Sequence, residues 1–240
     1  MNTIKNPAIP GHKKIKNIFI GMLVIGSIWG LLDAITVVYI SPLFQCRNLC
    51  LCPVTVIIFG FPLMTLAMVS YRKPLMLIGI GVIAALFKLL DFAFVPLPVI
   101  NGHVIYQPVV NPALAAITAS VVFTVFAGIL MKNLEKNINV RILTGLFAGF
   151  LSTVAFVYAG FYITKTPPLI VDSPFHLLFP LHGPVNAFLG ATLLPISYLI
   201  TTRLQPKIIL LQTKRLSLYY LSSVIIIAIS LLACTFILIR

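Results

Sequence analysis

Seven apolar runs, each near bilayer-crossing length, constrain this chain more than any motif in it. They cover residues 18–40, 53–70, 74–95, 111–131, 142–163, 183–202 and 216–239. A helix that rises about 1.5 Å per residue needs about 20 apolar residues to cross the hydrocarbon layer. Backbone N–H and C=O groups have no water partner there, so only helices and closed barrels span a membrane. The runs are continuously apolar, without the in–out alternation of a barrel strand. The expected fold is therefore an all-α integral membrane bundle of seven helices. Composition agrees: 60% of residues are hydrophobic and 9% are charged, whereas soluble domains carry about 25% charged residues. No stretch of the 240 residues is left for a soluble ATPase, kinase or DNA-binding module.

The chain divides into a basic tail at 1–17, a six-helix core at 18–203, and a loop plus seventh helix at 204–240. Lys5, Lys13, Lys14 and Lys16 precede the first run. That run is too long for a signal-peptide core of about 7–15 residues, so it reads as a transmembrane helix. The net charge of +13 comes from short basic clusters between apolar runs. Such clusters are orientation signals, with attraction to anionic lipid as a second effect, and they give no reason to expect nucleic acid. With the N-terminus inside, one side holds Lys5, Lys13, Lys14, Lys16, Arg72, Lys73, Lys132, Lys136, Arg141, Arg203, Lys207, Lys214 and Arg215. The other side holds Arg47, Lys165 and Arg240. This asymmetry predicts a plasma-membrane protein with a cytoplasmic N-terminus and an outer C-terminus.

Charge inside the apolar runs is rare and costly, so it marks a candidate site. Asp33 lies in the first run, and Lys88 and Asp91 lie in the third. In the predicted topology these three fall in the outer half of the bundle. Asn111 opens the fourth helix there, and His182 and Asn186 open the sixth. The inner halves are expected to hold no comparable polar set. Pro112 and Pro184 suit first helical turns, and Asn suits a cap. Trp29 is one turn from Asp33 and shares its helix face. The candidate solute site is therefore Trp29, Asp33, Lys88, Asp91, Asn111, His182 and Asn186, between helices 1, 3, 4 and 6. The plain structural reading of the same residues is helix capping and ion pairs that hold helices together.

Gly26, Gly30 and Ala34 form a small-residue stripe that lets another helix approach closely. Cys46, Cys50 and Cys52 form a C-x3-C-x-C cluster in the first outer loop. Its spacing matches neither paired zinc-site cysteines nor a redox C-x-x-C. A disulfide with a spare thiol, or metal binding with His103, His176 or His182, are the readings of that cluster. Cys234 reads as core. Phosphate-loop, nucleophile-elbow and metalloprotease motifs are absent, and no cofactor is predicted.

A small apolar bundle with a basic inner tail, a small-residue stripe on its first helix and an outward polar site resembles the substrate-binding S component of energy-coupling-factor transporters. The resemblance is architectural and covers about residues 18–203. It implies a six-helix core, capture of a small solute near the outer face, and a separate transmembrane coupling subunit with an ATPase pair. It also implies a ligand cover from the first outer loop, 41–53, and docking through Gly26, Gly30 and Ala34. The seventh helix is extra to that pattern. Met1-Asn2 differs from the Met-His start of the cobalt and nickel binders.

The chain is thus expected to bind a small polar or amphipathic solute for uptake rather than to catalyse a reaction. Other readings of the same residues are a proton-coupled transporter using Asp33, Lys88 and Asp91, an envelope or lipid enzyme, and a structural or assembly subunit.

Overall fold

The computed structural model describes residues 11–36, 54–90, 99–100, 103–104, 107–163 and 182–239. Helix α1 spans Gly11–Ile35. A π-helical turn, Val56–Gly60, leads directly into α2, Phe61–Tyr71. Then follow α3 (Met76–Leu89), α4 (Gln107–Lys136), α5 (Ile138–Ile163), α6 (Gly183–Lys214) and α7 (Leu216–Ile239). Between α3 and α4, β1 (Val99–Ile100) and β2 (His103–Val104) pair antiparallel, with Ile100 opposite His103.

The protein is an all-α membrane bundle. Among the described residues, five helices are long and apolar enough to cross a membrane: α1, α4, α5, α6 and α7. The expected second and third spans are shorter apolar helices there, Val56–Tyr71 and Met76–Leu89. Neighbours run α7, α1, α3, α4, α5, α6, α2, and the π-helical turn touches α1, α4 and α6, which closes the ring. Pro62, just after the π-helical turn, has no N–H to continue the α-helical ladder. Phe61 stacks obliquely on Phe123, with ring centroids 5.0 Å apart. Trp29, Met64, Leu77, Ile80 and Leu194 fill the core around them. The outer apolar face, such as Leu221, Leu232 and Phe236 on α7, is exposed, as a lipid-facing surface is.

Lipid removes the hydrophobic drive between helices, so close packing of small residues does more of the work. A Cβ at Gly145 or Gly190 would overlap the other residue's carbonyl oxygen, and one at Gly149 would overlap the Asn186 carbonyl. Thus α5 and α6 meet backbone to backbone. The stripe on α1 is likewise filled from within. Gly26 lies against Ile83, Gly30 lies against Phe87, and Ala34 packs beside Phe87 and Cys234.

Several helix ends differ from the sequence reading, and α1 already begins at Gly11, inside the expected tail. The fourth helix begins at Gln107 rather than Asn111, because Pro108 already suits a first turn. Asn111 and Pro112 therefore lie within the helix, and Asn111 is not its cap. The sixth helix continues past Thr202 and through Pro206 to Lys214. Side-chain bonds from its extension hold it to α2: Gln205 Nε2 donates to the Val69 carbonyl at 3.0 Å and Gln212 Nε2 to the Tyr71 hydroxyl at 3.1 Å.

These bonds belong to a polar cluster at the basic end, where the sequence predicted none. The Tyr71 and Tyr219 hydroxyls are 3.0 Å apart. Tyr220 donates to Asn17 Oδ1 at 3.1 Å, and Lys16 Nζ sits 4.9 Å from the Tyr220 ring centre. Gly21 faces Tyr71, whose ring occupies the space of a Cβ. Tyr and Gln have long apolar bodies and polar tips, so sequence polarity alone undercounts them. Nearby, Arg72 bridges Glu135 at 3.1 Å. Arg141 donates to the Leu134 and Glu135 carbonyls and stacks on Tyr198. Replacing Tyr71 by Phe removes two bonds that tie α2 to α6 and α7. It should destabilise by about 1 kcal/mol, read as a lower unfolding midpoint in detergent. The loss should be less than additive with Tyr219→Phe, and strict additivity would refute the coupling.

Candidate functional site

Helix register brings three of the predicted site residues to one level. Gly26 opposite Ile83 and Gly30 opposite Phe87 place Asp33 beside the end of α3 that carries Lys88. On the other side of α3, Gly81 lies against Ala116 and Ser120. The two helices are antiparallel, so seven residues on from Gly81 and an equal rise back along α4 bring Lys88 level with Asn111. Asp33 is 2% exposed, Lys88 1% and Asn111 5%. Among the described residues, Lys88 Nζ and Asn111 Oδ1 have no hydrogen-bond partner. An ammonium in hydrocarbon without an acceptor costs a few kcal/mol. Lys88 is therefore a costly group to bury in this bundle.

Trp29 sits beside this level on α1. Its ring lies over Gly60, where a Cβ would overlap it. The indole is fully buried and its Nε1–H has no partner among the described residues. Gly60 thus lets the π-helical turn and the tryptophan share one space.

Asn186 belongs to a second polar group, formed with α5. The Thr153 hydroxyl donates to the Gly149 carbonyl at 3.0 Å and accepts from Asn186 Nδ2 at 2.8 Å. Its single proton is spent on Gly149, so the Asn186 amide must present nitrogen to Thr153. Asn186 Oδ1 then faces away, buried and without a partner among the described residues. Ser152 Oγ is in the same condition. It lines a narrow gap with Val56, Ile57, Ala115, Ala119, Thr153 and Phe156. A double-mutant cycle with Asn186→Ala and Thr153→Val should give a coupling of about 1 kcal/mol. A coupling near zero in thermal unfolding would remove this bond from the account.

His182 is the N-cap residue of α6 and is buried. His103 lies in β2. Asp91, His176, Cys46, Cys50 and Cys52 lie outside the described residues. Among the described residues, no three His, Cys, Asp or Glu side chains gather where a metal ion could be held. Cys234 is buried in the small cluster with Ala34 and Phe87.

Sequence reading missed the contribution of α5. Ser152 and Thr153 lie inside an apolar run, where hydroxyls usually bond their own helix. The signal that was available is Gly145-x-x-x-Gly149, a close-approach motif in an apolar segment. Comparison with protein-family models, with curated proteins and with solved structures returns no match.

Proposed function

We propose that this chain is a membrane-embedded solute-binding protein, acting for uptake in the manner of an S component. It takes a small polar or amphipathic molecule from the face opposite its basic end, which in this reading is the outer face. The observation that carries the proposal is Lys88, fully buried at the level of Asn111 and Asp33 and without a hydrogen-bond partner among the described residues. A group that costs folding energy and has no bond among the described residues is accounted for by a molecule that supplies the missing acceptor. Trp29 provides an aromatic wall, and Asn111 Oδ1 and Asn186 Oδ1 accept from ligand N–H or O–H groups. Gly26, Gly30 and Ala34 are covered by α3 and α7 within the bundle. Contact with a coupling subunit therefore falls to another face.

A mild-detergent purification of the tagged protein from its own host, followed by mass spectrometry of proteins and released small molecules, tests this reading. The expected result is a bound small molecule, together with a second membrane subunit and an ATPase pair. A bound molecule without those subunits would keep solute binding and discard the S-component assignment. Recovery of the chain alone, with nothing bound, would count against both.

A further inference from the structure

The unmet hydrogen-bond capacity around Lys88 is specific in kind. Lys88 Nζ offers up to three N–H donors and a positive charge, and Trp29 Nε1 offers one further donor. Both are buried, and both lack a partner among the described residues. They come from α1 and α3 at nearly one level, since Gly30 lies against Phe87. The adjoining acceptor, Asn111 Oδ1 on α4, is also unmet. Asp33 is the one acidic group of α1 near this level, and it has interactions of its own.

We infer that the solute is an organic anion, a carboxylate or comparable oxyanion, whose charged oxygens pair with Lys88. This inference rests on the solute-binding reading above and narrows it to a chemical class. The several N–H donors of Lys88 suit the oxygens of one carboxylate, and a charged acceptor bonds an ammonium more strongly than a neutral one. An N–H or O–H elsewhere on the molecule bonds to Asn111 Oδ1. A cationic solute would meet like charge from Lys88.

Trp29 is the single tryptophan of the chain, so its emission reports on this site without labelling. The probe is a small-molecule extract of the host, separated by ion exchange at neutral pH into anionic, neutral and cationic pools. Each pool is titrated into the full-length protein in detergent. The expected result is that the anionic pool shifts the emission of the wild type. In Lys88→Met the response should weaken at least ten-fold in apparent affinity, while Lys88→Arg keeps most of it. The wild-type comparison of pools stands even if Lys88→Met folds poorly. A response confined to the neutral or cationic pool would overturn the anion assignment while leaving solute binding intact. No response to any pool would overturn the anion assignment and the binding reading together.

Discussion

Gly190→Leu is expected to separate α5 from α6 and leave little folded protein. The atoms a side chain would meet at Gly190 include the Gly145 carbonyl, which belongs to a helix backbone and cannot rotate aside. Accommodation requires the whole α5–α6 contact to open, and the Asn186–Thr153 bond opens with it. Overpacking of a tight interface costs about 3 kcal/mol, and the lost hydrogen bond adds to that. Gly128→Leu is the control. It lies on α4, with nothing within 4 Å of where its Cβ would be, and leucine favours a helix over glycine. Yield of the monodisperse species and the unfolding midpoint in detergent read both variants. Equal behaviour would show that α5 and α6 do not meet at their backbones.

In ligand-free protein, Lys88→Met should raise the unfolding midpoint rather than lower it. The ammonium is buried and has no hydrogen-bond partner among the described residues, so its removal relieves a cost instead of breaking a bond. Methionine has similar length and no charge, and the expected gain is about 2 kcal/mol. A lysine kept for a permanent ion pair behaves oppositely, because its loss strands a buried carboxylate. The sign of the shift therefore separates a ligand-directed lysine from helix glue. A fall in the midpoint would move Lys88 into the second class and remove the main support for the proposed site.

Legibility in the sequence followed the physics of each feature. The run 216–239 matched α7, Leu216–Ile239, because nothing but apolarity and its two ends defines that helix. The sixth helix ran twelve residues beyond its expected end because Gln205 and Gln212 find partners on α2. Partners on another helix have no trace in local composition. Asn111 had the local signature of a cap, yet Pro108 had already opened the helix and placed it inside. Lys88 stands out in the sequence by the cost of its charge alone, and in the structure it is buried. Asn186 stands out in the sequence only for its place at a helix start, and its bond to Thr153 on α5, a helix outside the expected site, has no local signature.

Some properties of this protein needed nothing beyond its own residues. Long apolar runs in lipid must close their hydrogen bonds within themselves, so an all-α membrane bundle follows from composition and spacing. The rarity of buried charge likewise singles out Asp33 and Lys88. Which helices meet was decided only in three dimensions. Gly26 and Gly30 seat α3, whereas Gly145 and Gly190 join α5 to α6. Small-residue spacing reads alike in both cases, and only the shape of the opposing surface distinguishes them. The tyrosine and glutamine cluster of the basic end was decided there too, since a hydrogen bond between distant residues exists only once packing has brought its donor and acceptor within about 3 Å.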